Sequence, residues 1–286
     1  MTGDRWEFDA IGTRWRVDTA HPLSAGARGA VADLVDAFDR DWSRFRDDSL
    51  VSALARGAGT VVAPPDTAAM LDLYAALDEA TAGAVNPLVG GALARRGYDA
   101  RYGFVDRGAE PAPPDWRTLL AWTTDRLLLT EPATIDVGAV GKGRLVDRVL
   151  DVVTAATDGE AVVDASGDVA VRGRTDRIGL EHPFDPTRAV GVWEVRDAAL
   201  CASAVNRRAW GEGLHHVLDA RTGHPIRTIA ATWAVAGSAM IADAVATALF
   251  FDGGAAFAHD RGVPWVRMTS DGRLEWSPDC GAELFV

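Results

Sequence analysis

The sequence predicts an α+β fold, and three observations carry that prediction. Helical periodicity concentrates between residues 24 and 154, strands dominate from residue 160, and the two do not alternate as a doubly wound sheet requires. No internal repeat, low-complexity run or linker divides the 286 residues, so one domain over 1–286, with mixed sheets and packed helices, is expected.

The elements follow in order. Residues 5–18 read as two short strands around Gly12-Thr13, with alternation through Thr13-Arg14-Trp15-Arg16-Val17. Residues 24–42 read as an amphipathic helix capped by Ser24, with Val31, Leu34, Val35, Phe38 and Trp42 on one face. A second helix starts after Pro64-Pro65 with Asp66 as its cap and Met70, Leu73, Tyr74 and Leu77 on one side. Residues 105–114 form a Pro/Gly-rich surface loop, and 141–154 a helix with Leu145, Val146, Val149, Leu150 and Val153 in one stripe. Strands are expected at 161–164, 168–172, 176–180, 190–195, 198–203, 214–218 and 230–236. A helix follows from Ser238 to about Phe251, another near 254–260, and closing strands near 264–268 and 273–276.

Composition narrows the function. With 48% hydrophobic and 24% charged residues the chain is not disordered. A net charge of −12 argues against nucleic acid as a partner, because phosphate contacts need clustered Lys and Arg. No apolar run approaches the ~18–20 residues of a membrane span. The first ten residues, MTGDRWEFDA, carry neither a signal-peptide core nor an anchoring cysteine, so a cytoplasmic location is expected. Cys201 and Cys280 make neither a disulfide framework nor a zinc pattern. All but one of the 29 Lys and Arg residues are arginine, and the exception is Lys142.

Lys142 lies in Ile135-Asp136-Val137-Gly138-Ala139-Val140-Gly141-Lys142-Gly143, a strand end, a glycine-rich turn and a helix start. Such a turn either brings backbone N–H groups to a phosphate or simply precedes a core helix; the pattern is not a Walker A loop. A lone lysine favours the former, since its compact ammonium fits where a guanidinium does not. In Leu214-His215-His216-Val217, neighbours on a strand face opposite sides, so one histidine alone can enter a given pocket as an acid or base. Asp243 and Thr247 share one face of a helix at i and i+4. Together they suit Mg2+, or Asp243 serves the positive end of the helix. Val162–Val169 reads as a hairpin around Ala165-Ser166-Gly167, and Phe45 sits in a polar loop where it either stacks on a ring or packs.

In this order, the segments WSRFRDDSLVSAL, TAGAVNPLVGGAL, IDVGAVGKGRLVD, DASGDVAVRG, ALCASAVNRRAW, HHVLDARTGHP and ADAVATALFFDG resemble the blocks of the ApbE family of FAD:protein FMN transferases, over about residues 11–252. The resemblance implies Mg2+-dependent transfer of FMN from FAD to a Thr or Ser hydroxyl of an acceptor flavoprotein, as a phosphoester, with release of AMP. It further implies that Asp243, Thr247 and the backbone carbonyl of Ala139 hold Mg2+. Phe45, Ala84, Val85, Asn86, Asp136, Lys142 and Ile226 fall on FAD positions, and His216 resembles the catalytic histidine. The chain departs from the family in Ile11-Gly12-Thr13, Gly83-Ala84-Val85-Asn86-Pro87, Ser166-Gly167-Asp168 and Ala202-Ser203-Ala204, all on the flavin and acceptor side. Two other activities use the same residues: an FAD pyrophosphatase giving FMN and AMP, and a largely non-catalytic FAD-binding protein.

Overall fold

The computed structural model describes residues 3–157 and 159–285. Met1 and Thr2, the start of the segment read for targeting features, lie outside the described residues, as do Asp158 and Val286.

Strands β1 (Asp4–Ala10) and β2 (Thr13–Thr19) form a hairpin, followed by helices α1 (Ala25–Trp42) and α2 (Leu50–Arg56). Next come β3 (Gly59–Val62), α3 (Thr67–Ala80), α4 (Gly90–Arg95), α5 (Trp116–Leu119), β4 (Leu120–Trp122) and β5 (Arg126–Leu129). Helix α6 (Gly141–Ala155) leads into β6 (Ala161–Asp164), β7 (Asp168–Arg172), β8 (Thr175–Glu181), β9 (Ala189–Arg196) and β10 (Ala199–Ala204). The short pairs β11 (Ala209–Trp210), β12 (Leu214–His215), β13 (Leu218–Asp219) and β14 (His224–Pro225) precede β15 (Ile229–Ala236). Helices α7 (Ala239–Ala248) and α8 (Gly254–Asp260) and strands β16 (Trp265–Thr269), β17 (Leu274–Trp276) and β18 (Ala282–Leu284) complete the chain.

The fold is α+β, as the segregation of helices and strands predicts. Its centre is an eight-stranded sheet in the order β1-β2-β6-β7-β10-β15-β16-β17, every neighbouring pair antiparallel. Period-two alternation divides its residues between two cores. Val163, Ala170, Cys201 and Ala234 face the helices, among Val31 of α1, Leu77 of α3 and Val149 of α6. Val162, Val171, Leu200 and Trp233 face the small sheet β18-β9-β8, against Leu180 and Trp193. The strands therefore sit between a helical layer and a second sheet.

Local chemistry accounts for most of the boundaries. The Ser24 hydroxyl accepts from Ala27 N–H at 3.1 Å and starts α1 as expected. Asp66 departs from its predicted role. It holds the cap position of α3 without a side-chain cap bond, and its carboxylate instead takes Arg144 at 2.6 Å and Arg148 at 2.5 Å. Those arginines are one turn apart on α6, so Asp66 ties α3 to α6. The single strand expected at 214–218 is broken into β12 and β13, with His216 in the bend between them.

Helix α7 is rich in alanine and buried on almost every side, and α6 crosses it closely. Gly143 permits the approach: a Cβ there would fall on the Ala239 carbonyl and lie 2.8 Å from Asp243 Cβ. Gly143→Ala should therefore destabilise the protein by about 1–3 kcal/mol through overpacking, read as a lower urea midpoint at unchanged slope.

Candidate functional site

One cleft of about 970 Å³ opens at the end of the helical layer, between the turn before α6, the face of α7 and the segment around His216. Every residue that the family resemblance places in the site except Ile226 lines it. Ile226 lies behind the wall, where its carbonyl is bonded to His215 Nε2 at 2.8 Å and its N–H donates to Val217 O at 3.1 Å. It supports the His215–Val217 segment.

The turn before α6 is built on Asp136. Its Oδ1 accepts from Gly138 N–H at 2.7 Å and its Oδ2 from Arg44 Nε at 2.6 Å. Tyr74 Oη donates to the Asp136 carbonyl at 2.9 Å and accepts from Ala139 N–H at 3.1 Å. Burial, and then the Asp136 charge, push the Tyr74 hydroxyl well above the usual tyrosine range, so it stays a neutral donor. Asp136 thus holds the turn and Arg44 in place. Asn86 is likewise engaged: its amide donates to Pro113 O at 2.9 Å and its Oδ1 accepts from Leu88 N–H at 2.8 Å. Ala84 and Val85, both buried, continue that wall.

Lys142 and Asp243 line the floor, and the carboxylate of Asp168 is buried beneath them. Lys142 Nζ stands 3.2 Å from Asp168 Oδ2, with Asp168 fully enclosed and the lysine side chain 26% exposed. Asp243 is buried, and its Oδ2 accepts from Gly143 N–H, at the start of α6, at 3.0 Å. Burial, and then the charge of Asp168, push the Asp243 carboxyl well up. Burial also raises Asp168, against the pull of Lys142. For Lys142, burial opposes its charge, but Asp168 and Asp243 outweigh it and its pKa ends above the ordinary lysine value. One ammonium facing two carboxylates leaves the floor short of positive charge.

The oxygens of the floor have the chemistry a hard cation takes. The N-terminus of α7 is already served by Ser238, whose hydroxyl accepts from Ile241 N–H, and by Asp147, which accepts from Ala239 N–H at 2.7 Å and Met240 N–H at 3.0 Å. Asp243 is therefore not needed at that end. Gly143 N–H, which would close a helical turn on the Ala139 carbonyl, is given to Asp243 instead, and no other backbone N–H among the described residues bonds that carbonyl. Thr247 is half-buried one turn beyond Asp243, its hydroxyl without a hydrogen bond among the described residues. No group of three or more His, Cys, Asp and Glu side chains suited to a metal occurs among the described residues. A site here rests on one carboxylate, one hydroxyl and one carbonyl.

Lys142→Met should cost about 3 kcal/mol, the low end for breaking a buried pair because the lysine is partly exposed. Urea denaturation in metal-free buffer checks it.

The two histidines go to different surroundings, but because the strand ends at His215 and His216 lies in the bend, strand alternation is not the cause. His215 is buried, with Nδ1 accepting from Val217 N–H at 3.3 Å. His216 lines the cleft, and its Nδ1 is enclosed without a partner among the described residues. Burial first, then the charges of Arg208 and His215, push His216 down to about 3, so it is neutral at pH 7 with a lone pair to offer. Elsewhere in the cleft Phe45 stacks on Tyr102, with ring centroids 5.3 Å apart and planes 5° apart, and meets Tyr98 edge-on.

Sequence reasoning missed Arg44, Tyr74, Tyr98, Tyr102 and Arg208 as cleft residues, and gave Asp168 no role beyond the start of a hairpin strand. The one available signal was Lys142: a lone lysine in a turn of small and apolar residues is expected to have a carboxylate nearby.

Residues 11–264 match the sequence model described as the ApbE family. This chain belongs to the ApbE family. Among its ApbE relatives, the "FAD:protein FMN transferase" of Rhodobacter capsulatus is 30% identical over 97% of this chain and 57% of its own length. The protein of the same name from Treponema pallidum (strain Nichols) is 28% identical over 84% of this chain and 76% of its own. The chain thus spans little more than half of the Rhodobacter protein. In fold it is similar to the ApbE protein of Thermotoga maritima, with a TM-score of 0.83 at 22% identity over 96% of this chain and 97% of that one. The flavinyl transferase ApbE of Pseudomonas stutzeri, in its apo form, gives 0.81 at 20% identity over 96% and 95%.

Proposed function

We propose that this chain is an FAD:protein FMN transferase: it moves the FMN part of FAD onto a Thr or Ser hydroxyl of an acceptor protein and releases AMP. The observation that carries the reading is the meeting, in one cleft, of His216 with the free oxygens of Asp243, Thr247 and Ala139. The family and the names of the relatives support it. We read residues 1–286 as one domain with that activity. Among the described residues no helix is long and apolar enough to cross a membrane. The two free cysteines support a reducing, cytoplasmic setting.

The Asp243 carboxylate, the Thr247 hydroxyl and the Ala139 carbonyl would hold Mg2+, which when bound neutralises pyrophosphate charge and acts as a Lewis acid. The negative excess of the floor fits a cation there. The flavin ring is assigned to the wall of Phe45, Ala84 and Val85, shaped by Asn86 and Asp136 from behind. His216 takes the proton of the acceptor hydroxyl. Nδ1 is shut away, so that exchange falls to Nε2. The hydroxyl oxygen bonds to the FMN-side phosphorus as the bond from that phosphorus to the bridging oxygen breaks. AMP leaves with the bridging oxygen and the electron pair. The anionic substrate offsets the cations that depress His216 in the free protein, so the base strengthens when it is needed.

The test is to incubate the protein with FAD, Mg2+ and candidate acceptor proteins, and to map any covalent flavin by in-gel fluorescence and peptide mass. A fluorescent acceptor carrying FMN on one Thr or Ser supports the reading. AMP and free FMN without a labelled acceptor would mean an FAD pyrophosphatase.

A further inference from the structure

The cleft is lined by several cations, and their partners differ. Arg44 pairs with Asp136 at 2.6 Å, Arg46 with Asp48 at 2.8 Å, Lys142 with Asp168 at 3.2 Å and Arg207 with Glu181 at 3.0 Å. Arg208 lines the same cleft and has no carboxylate partner among the described residues. In a chain with a net charge of −12, a half-buried guanidinium without an anion is the exception. Burying such a charge is unfavourable unless an anion completes it.

Arg208 is also held in a fixed position. Its Nη1 donates to Tyr98 Oη at 2.7 Å, and its guanidinium carbon lies 5.9 Å from the Tyr98 ring centroid. Tyr98 is buried, set between Phe45 at 5.2 Å and Trp210 at 5.4 Å. The Arg208 carbonyl accepts from His216 N–H at 3.2 Å, which brings the arginine's backbone against the histidine. The charges of both Arg208 and Lys142 oppose protonation of His216, so the ring sits within reach of two cations. A guanidinium fork with one nitrogen tethered and the others free of any carboxylate matches the oxygens of a phosphate.

We propose that Arg208 binds the phosphoryl group that is transferred, the FMN-side phosphate of FAD, and holds it beside His216. The assignment rests on the transferase reading given above. Arg208 supplies a positive charge beside His216 that would offset the negative charge developing on the phosphoryl group in transfer.

FMN and riboflavin differ by that one phosphate, so their relative affinities isolate the contact without turnover. Each flavin is titrated by equilibrium dialysis, in the same Mg2+ buffer, into wild type, Arg208→Gln and Arg208→Lys. Wild type should prefer FMN. Arg208→Gln should lose about tenfold of that preference, with riboflavin affinity unchanged, as expected for removing a charged hydrogen bond. Arg208→Lys should recover part of it. An equal FMN-to-riboflavin ratio in wild type and Arg208→Gln overturns the assignment while leaving the transferase reading intact. So does an Arg208→Gln variant that keeps the flavin ratio but no longer labels the acceptor, since the arginine would then be reading the acceptor. Wild-type protein that binds neither flavin overturns the transferase reading itself, and this assignment with it.

Discussion

Asp243→Asn should lower Mg2+-dependent release of AMP from FAD by at least about a hundredfold, because it removes the carboxylate proposed to hold the metal and with it several kcal/mol of charge stabilisation. The same substitution should make the metal-free protein more stable. Asparagine keeps an oxygen for Gly143 N–H, and it removes one of two buried carboxylates that share Lys142. The expected rise in thermal midpoint is about 2–4 °C, the shift that roughly 1 kcal/mol produces in a domain near this size. Added Mg2+ should raise the midpoint of wild type and leave that of the variant unchanged, since only a ligand bound to the folded state stabilises it. A variant less stable than wild type in metal-free buffer would show that the floor is not over-negative.

His216→Gln should reduce kcat by about 10²–10⁴-fold, the range for loss of a general base, with KM for FAD little changed. The pH dependence gives a sharper sign. His216 is held down to about 3 in the free protein, so its basic form persists as pH falls below the ordinary histidine value. The kcat/KM profile of wild type should therefore show no loss centred near about 6.5 and should decline only at much lower pH. Stability behaves differently from activity over the same range. Between about 3 and the unfolded value the unfolded chain binds a proton at His216 that the folded chain refuses, so this residue's contribution falls as pH drops through that window. In His216→Gln the acid side of the stability curve should be flatter. A wild-type limb near 6.5 in kcat/KM, absent in the variant, would mean that His216 titrates as an ordinary histidine.

Much of the architecture was legible because period and caps are local. The stripe of α1, the Ser24 cap and the two-residue alternation of the central strands follow from side-chain direction alone. The small helices α2 and α4 and the strands β3, β4 and β5 are too short to show a period, and the sequence reading passed over them. Asp66 reads as a cap in sequence; only the placement of α6 gives it two guanidiniums that a cap bond cannot match. The residues of the cleft were legible as motifs, but their partners were not. Arg44 sits in a polar loop and reads as solvated, yet it is 7% exposed beneath two aromatic rings. Asp168 reads as the first residue of a hairpin strand, and its enclosure exists only once β7 and β10 have paired and α6 has brought Lys142 to it. Asp136 and Asn86 line the cleft as expected, but their bonds to Arg44 and Gly138 and to Pro113 and Leu88 exist only in the folded chain.

The most direct test of the account counts products. The protein is incubated with FAD and an acceptor protein, with Mg2+ or with EDTA, and released AMP and acceptor-bound FMN are quantified in the same sample. The account predicts one AMP for each covalently bound FMN, Mg2+ dependence, and loss of both products together in Asp243→Asn. AMP matched by free FMN with an unlabelled acceptor would contradict transfer, and tight FAD binding with no AMP under any condition would contradict catalysis by this cleft.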